Sequence, residues 1–538
     1  MIKAVRGTRD LLPPETALWN FVEAAVRDVF HAYNFQEIRT PIFESTELFA
    51  RGVGEETDIV SKEMFTWDDR GGSIDMEVQQ QWIHRHAKEG WADLAPHTRT
   101  GRGRTSAPTL LGSGSPENPE AKIVRSRYLP NLQDISELLE IGRNYQNERP
   151  DQPSAKLLLA TVSGMLSAPL RTLAIKAKIE IEELDREMFE PPQLLTLRPE
   201  NTAGVVRAYI QHDLEKNGLN KLYYIGPQFR RERPQKGRYR QFYQIGAEVI
   251  GPPSAGSESP ARDAEVLEML ATLLDRLGIT DWNLELNSVG TSADRVAFND
   301  ALRKALDPVK DKMCTDCQRR AVTNPLRVFD CKVPEDQPII ETLPRITQFL
   351  GEDSRKHFDA VQEILTKVGV EFHINSRLVR GLDYYTRTAF EFTHGALGAQ
   401  NAILGGGRYD GLSEALGGPA APGIGFAIGE DRLVMSLKET AEGVLRKPDV
   451  YIAAMSGMNG EAARLARELR RHDLVVELGD DSFRLKKSFE AATKAGATYI
   501  LIVGENEVKA DAFALKNLAT GEQVQVARGD LARKIRGQ

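Results

Sequence analysis

The sequence predicts an α+β protein. Its parts are a mainly antiparallel sheet with flanking helices, a helical excursion within that sheet, and a small α/β unit towards the C-terminus. Three observations carry this. KLYYIGPQFR and RYRQFYQIGAEVIG are strand-like runs joined by RERPQKG, whose Pro and Gly suit a hairpin loop. From about Ser292 to Gly369 the apolar spacing is mainly helical. After Lys447, the runs DVYIAAM, LVVELGD and TYILIVG alternate with GEAARLARELRRH and FRLKKSFEAATKAG, as in a mostly parallel sheet.

The remaining elements follow along the chain. ETALWNFVEAAVRDVFHAYNF places Leu18, Val22, Ala25 and Val29 on one face of a helix that stops at Asn34. QEIRTPIFE reads as a strand interrupted by Pro41, which suits an edge or a subunit contact. KEMFTWDDRGG looks like a strand running into a turn. Between about Gly72 and Pro192 the character changes. HTRTGRGRTSAPTLLGSGSPENPEA reads as loop or disorder. DISELLEIGRNY and LLLATVSGMLSAPLRTLAIKAKIEIEELDREMF have helix-forming composition. QLLTLRPENTAG resumes strand character, followed by the helix GVVRAYIQHDLEK. Residues of roughly 262–278 are helical, WNLELNSVG is a strand, and GIGFAIGEDRLVMSL runs from strand to helix.

The totals exclude several classes. At 538 residues the chain exceeds one core and suggests about three domains. No stretch approaches the roughly 20 apolar residues of a membrane span. The start, MIKAVRGTRDLLPPE, has no apolar signal core, so a cytoplasmic protein is expected. Net charge is −7, which argues against a general basic coat but not against a local basic groove. Three cysteines, Cys314, Cys317 and Cys331, do not make a secreted disulfide scaffold. A structural zinc ion wants four ligands and no fourth is evident in this segment, so no metal site is assigned and the cysteines are expected to be reduced and structural. His84 and His86 are expected to be polar loop residues.

The chemistry lies in the arginines. In RLVRGLDYYTRTAFEF the ends look like half-buried strand, yet the run carries Arg380 and then Asp383, Tyr384 and Tyr385. Arg230 follows Tyr223, Tyr224 and Phe229 in a strand that should be buried, and Arg408 follows three glycines. Arg432 stands at a helix start, and Arg231, Arg233, Lys236, Arg238 and Arg240 lie on the hairpin. A buried guanidinium needs a carboxylate or phosphate, and several together suggest a polyphosphate. No Walker-type loop and no dinucleotide fingerprint is present. The residues alone therefore reach an arginine-clamped nucleotide site on an antiparallel sheet.

At these positions the chain resembles the class II aminoacyl-tRNA synthetases, and among them the histidyl-tRNA synthetases. Motif 1 of the class resembles the first helix plus EIRTPIFE. Motif 2 resembles YYIGPQFRRERPQKGRYRQFYQIGAE, and motif 3 resembles GIGFAIGEDRL. LVRGLDYY at 378–385 and GGGRYDGL at 405–412 resemble the histidine-specific signatures. Each motif alone is loose; the five in order are specific. The resemblance implies that Arg230, Arg380 and Arg432 are catalytic and, with Arg238, grip ATP. It implies a histidine site of Glu200, Thr202, Gln244, Glu248, Tyr384 and Tyr385, with Glu248 at the α-ammonium. It places Arg233, Gln235 and Lys236 at the tRNA acceptor end. It further implies Mg²⁺ on the triphosphate, tRNA(His) and histidine as partners, a homodimer through motif 1, and no membrane.

The implied activity is that of a histidine–tRNA ligase: histidine and ATP give histidyl-adenylate and pyrophosphate, and the histidyl group passes to the tRNA 3′ end. A histidine sensor on the same fold is the alternative. The presence of Arg230, Arg380, Arg432 and the α/β tail favours the enzyme. The expected divisions are 1–71 (core with motif 1), 72–190 (atypical insertion of unknown role), 191–290 (core with motif 2), 291–371 (helical insert), 372–440 (histidine motifs and motif 3) and 447–538 (anticodon-binding domain). Omitting 72–190 would join MFTWDDRG to QLLTLRPE as a hairpin, so the insertion is expected at a hairpin tip. Arg484, Lys486, Lys487 and Lys494 could form a phosphate-facing patch or an ordinary solvated helix face.

Overall fold

The computed structural model describes residues 2–54, 57, 59–68, 91–96, 109–114, 122–127, 132–148, 156–162, 166–184, 194–235, 237–395, 401–437, 444 and 447–537. Two compact units result: Met1–Asp10 with Glu23–Leu437, and Leu11–Val22 with Lys438–Gln538.

The first unit is built on an eight-stranded sheet. Its order is Gln36–Glu37, Asn220–Phe229, Gln241–Ile250, Gly423–Gly429, Ala402–Arg408, Thr386–His394, Trp282–Ser288 and His373–Ile374. The six central strands pair antiparallel, and only the two-residue edge strands are parallel to their neighbours. The predicted hairpin pairs along its full length, from Asn220 opposite Ile250 to Phe229 opposite Gln241. Phe30 of the first helix (Glu15–Ala32) packs edge-on against Tyr223 and Phe426 of the sheet. That helix ends as expected, with Asn34 in the left-handed region at φ 63°. Helix Pro260–Arg276 buries Leu267, Leu270 and Leu274, and Glu352–Val368 packs against it.

Several expectations need correction. QEIRTPIFE is two short strands in two sheets, because Pro41 separates Gln36–Glu37 from Phe43–Ser45. The segment around Arg380 is a loop; strand begins only at Thr386. Phe43–Ser45, Leu194–Leu197 and Phe65–Asp68 form a separate antiparallel sheet. Within it Phe65 pairs with Leu197 and Asp68 with Leu194, so the intervening residues do emerge from a hairpin.

Between those two strands in the chain lies a further sheet, of five strands, rather than loop and helix alone. Its last three strands, Lys122–Arg127, Lys156–Val162 and Ile179–Leu184, are parallel and connected by helices Leu132–Glu148 and Ala168–Lys176. Thr109–Gly114 falls in the stretch expected to be loop, and Lys156–Val162 and Ile179–Leu184 in the stretch expected to be helical. Short apolar runs such as LLLA fit a buried strand as well as a helix, and tertiary pairing decides. Ile135, Leu138, Leu159 and Ile179 give this unit its own core. His84 and His86 lie outside the described residues.

Helices Ser292–Leu306 and Thr315–Thr323 open the predicted helical excursion, with a full capping box between Thr291 and Asp294. In the C-terminal unit, Val476–Leu478, Val450–Ala454 and Tyr499–Val503 are parallel, and Ala512–Asn517 and Gln523–Ala527 add an antiparallel hairpin that the sequence pattern did not indicate.

Candidate active site

A cavity of about 290 Å³ opens at the large sheet. Its walls take residues from five separated stretches: Glu200 and Thr202; Tyr224, Arg230, Arg238 and Gln244; Arg380, Tyr384 and Tyr385; Ala402 and Gly405; and Arg432.

The RPENTAG turn is fixed by its own glutamate. Glu200 Oε2 accepts the Thr202 N–H at 2.8 Å and Oε1 accepts the Ala203 N–H at 3.0 Å, capping helix Thr202–Gln211. Burial pushes the Glu200 carboxyl upward against these hydrogen bonds. The same turn exposes Pro199 O, which accepts Arg230 Nε at 2.9 Å. The Arg230 guanidinium also lies 5.3 Å from the centre of the Phe242 ring. The cap and the first arginine are thus set by one loop.

Arg380 donates from Nη1 to Glu391 Oε1 at 2.7 Å, and its buried Nε has no partner among the described residues. Burial alone would lower its pKa; Tyr385 and Glu391 outweigh that and raise it. Gly405 makes this placement possible, since a Cβ there would stand 2.6 Å from the guanidinium. Arg432 donates to Ala402 O at 2.8 Å, and burial and then the nearby Arg238 lower its pKa. Arg238 is exposed and reaches Glu232 at 3.2 Å, while Glu232 stands 4.0 Å from Arg230. Several guanidinium groups facing one space are mutually repulsive until an anion enters.

At the deep end, Tyr384 stacks obliquely on Tyr385 with ring centres 4.8 Å apart, and meets Tyr409 edge-on at 6.0 Å. Glu248 differs from its expected placement. It is fully buried behind Thr202, whose Oγ1 donates to Glu248 Oε1 at 2.8 Å, and it does not line the cavity. Burial pushes its carboxyl up to about 8, although Thr202, Tyr409 and Tyr224 act to lower it. Among the described residues no hydrogen bond of good geometry reaches Glu248 Oε2 or the hydroxyls of Tyr224 and Tyr409. Gly425 lies directly over Glu248 Oε2, leaving no room for any side chain at 425.

Arg233 and Gln235 lie exposed on the hairpin loop, which closes through paired Gln235–Arg238 backbone hydrogen bonds of 3.0 and 2.9 Å. Lys236 lies outside the described residues. Arg408, a candidate anion ligand by its glycine run, is instead fully buried and internally satisfied. It holds Asp263 at 2.5 Å, Asp410 at 2.9 Å and Ser257 O at 2.8 Å.

Sequence reasoning left Glu232, Phe242, Glu391 and Tyr409 unassigned. Glu391 had a signal, being the one charged residue in AFEF. Reasoning also left the cysteines without a fourth ligand; the fold brings Asp336 to them.

An antiparallel sheet carrying arginines around an open cavity, in a chain that also has an α/β unit, is the architecture of a class II aminoacyl-tRNA synthetase. The histidyl-tRNA synthetase family model matches residues 190–433, and the anticodon binding domain model matches 449–538. A histidine–tRNA ligase of Koribacter versatilis is 56% identical over 538 residues, covering 100% of this chain and 96% of the relative. One of Solibacter usitatus is 44% identical, covering 99% of each. The crystal structure of apo Staphylococcus aureus histidyl-tRNA synthetase aligns with a TM-score of 0.64 at 29% identity, covering 100% of both chains. The chain belongs to the histidyl-tRNA synthetase family.

Proposed function

We propose that the cavity binds histidine at its Glu200–Tyr385 end and ATP at its Arg230–Arg432 end. The chain is a histidine–tRNA ligase with ATP, histidine and tRNA as substrates. The family's general reaction forms an aminoacyl-adenylate and then charges the tRNA. The observation supporting the site assignment is the convergence of Arg230, Arg380 and Arg432 on one cavity with Glu200, Tyr384 and Tyr385.

In this reading the histidine carboxylate attacks the α-phosphorus and pyrophosphate leaves. Arg230 and Arg380 stabilise the charge that grows on the α-phosphoryl oxygens, and Arg432 holds the far phosphates. Phe242 offers a flat face for the purine. Mg²⁺ would neutralise the triphosphate, and the cavity's Glu232 and Glu391 are the carboxylates of the kind that ion takes alongside phosphate oxygens. Glu200 and Gln244, which line the cavity, suit the α-ammonium better than the recessed Glu248. Glu248 acts on the imidazole end from behind, through Thr202, whose Oγ1 donates to it while Thr202 itself lines the cavity beside Tyr224. A site built to hydrogen-bond ring nitrogens rejects apolar analogues by roughly 10⁴–10⁵.

Arg233, Gln235 and Lys236 meet the acceptor end of tRNA(His). The C-terminal unit, with Arg484, Lys486, Lys487 and Lys494 exposed, meets the anticodon region. A homodimer forms through the motif 1 face, where Ile42, Phe43, Trp67 and Leu194 are exposed. The reaction is assigned to the cytoplasm; among the described residues no helix is long and apolar enough to cross a membrane. The domain divisions expected from the sequence follow this division of labour.

Histidine-dependent ATP–pyrophosphate exchange tests the assignment. The wild type exchanges with histidine alone, and Arg380→Ala falls by about 10²–10³. Wild-type exchange in folded Arg380→Ala would remove Arg380 from the α-phosphate.

A further inference from the structure

The helical excursion contains a cluster that the ligase reaction does not use. Cys314, Cys317, Cys331 and Asp336 bring three sulfurs and a carboxylate oxygen together, all within 4.8 Å of one another. Cys317, Cys331 and Asp336 are buried. Cys314 Sγ and Cys331 Sγ are 3.9 Å apart, and Cys331 Sγ is 3.2 Å from Asp336 Oδ2. Two sulfurs on a tetrahedral zinc ion with Zn–S bonds of about 2.3 Å are separated by about 3.8 Å. A disulfide needs a sulfur separation of about 2.05 Å. The observed spacing excludes a cross-link and is the separation that a shared tetrahedral ion requires, as well as one that reduced thiols in contact adopt.

The surroundings have the form of a ligand shell. Cys314 is the cap and Cys317 lies in the first turn of helix Thr315–Thr323, the two-residue spacing common in zinc sites. The Val333 N–H points to Cys331 Sγ at 3.4 Å, and the Cys314 N–H reaches Asp336 Oδ1 at 3.0 Å. Such outer hydrogen bonds orient metal ligands. Asp336 supplies a second, independent argument. It is only 1% exposed, and among the described residues it makes no ion pair. Its oxygens accept the Cys314 N–H and face the Cys331 thiol, so a divalent cation entering here would displace thiol protons and find the carboxylate already in place.

We infer that Cys314, Cys317, Cys331 and Asp336 form a structural site for a tetrahedral divalent metal ion, zinc by ligand type. Thiolates select zinc over magnesium or calcium, and four protein ligands leave no open position for catalysis. The site pins both ends of a segment that touches the active-site loop. Between Cys317 and Cys331, Asn324 donates to Asp383 Oδ1 at 2.9 Å and Arg327 donates to Arg380 O at 2.9 Å. The metal thereby fixes the support under Arg380 without meeting either substrate.

Metal analysis of the full-length chain, expressed with zinc and without a metal-binding tag, tests this. The expected result is one zinc per chain in the wild type and less than one tenth in Cys331→Ser and Cys314→Ser. Because those variants can fail to fold, cobalt replacement in the wild type is the second measurement. Tetrahedral thiolate coordination gives intense charge-transfer absorption and visible ligand-field bands. Chelation should then lower Tm and raise the KM for histidine several-fold, both restored by zinc alone. Metal-free protein whose three thiols titrate with a thiol reagent, a mass two protons light from a disulfide, or a cobalt spectrum without thiolate bands would each overturn the site. Zinc loss with no change in KM would overturn its support of the Arg380 loop.

Discussion

Arg380 and Arg408 make an instructive pair. Arg408 ends the glycine-rich strand Ala402–Arg408, Arg380 lies over its Gly405, and each touches a carboxylate. Arg408 is fully buried and divides its donors among Asp263, Asp410 and Ser257 O. Arg380 keeps 21% of its side chain exposed and, among the described residues, its guanidinium hydrogen-bonds Glu391 alone. A guanidinium filled by protein acceptors is part of the scaffold. One left partly unfilled at a cavity wall is prepared for a ligand.

Substitution should separate the two roles. Arg408→Ala leaves the buried Asp263 without its cation, with only Thr388 Oγ1 still donating and His357 nearby, and should cost about 3–5 kcal/mol in denaturant-unfolding stability. Arg380→Ala should change stability by less than about 1 kcal/mol while pyrophosphate exchange falls by about 10²–10³. If the two variants show the reverse pattern, the distinction drawn from donor filling fails. Thr202→Val probes the deep end, because it strips Glu248 Oε1 of its hydrogen bond. Its cost of about 1–3 kcal/mol should appear as a raised histidine KM, with little change in the KM for ATP.

The pH dependence sharpens the contrast between filled and unfilled groups. Glu248 is pushed up to about 8 and Glu430 to about 9, both chiefly by burial. For each, the folded state holds a proton that the unfolded state has released above its ordinary carboxylate range. Their contribution is therefore fully present below about 4.5 and lost as pH rises through the folded values. The thermal midpoint without substrate should fall between pH 5 and 9, and Glu248→Gln should remove part of that slope. An unchanged slope would show that Glu248 is already charged in the folded protein. The smallest effect is expected at the rim: Arg233→Ala should lower the salt dependence of tRNA charging by about one unit of log–log slope, with exchange as the control.

Much of the fold was legible in local pattern. The hairpin around RERPQKG, the first helix and its Asn34 stop, and the strand–helix alternation after Lys447 all depend on neighbours in sequence. The 72–190 stretch was not legible in the same way. LLLATV and IEIEEL gain strand identity only by pairing with one another and with Lys122–Arg127. The arginines were recognisable as a set, but Arg408 could not be told from Arg380 until Asp263, 145 residues away, came within contact.

The sequence by itself determined the order of elements, the supply of cations and tyrosines, and the glycine runs that leave room for them. These follow from residue type and periodicity. Only the tertiary structure decided which charges face a cavity, that Glu248 withdraws behind Thr202, and that Asp336 completes a ring of cysteines. Each of these depends on distances between residues far apart in the chain, which local propensity does not encode. Burial then sets the cost of leaving a charge alone, and so settles whether its partner is the protein or a ligand.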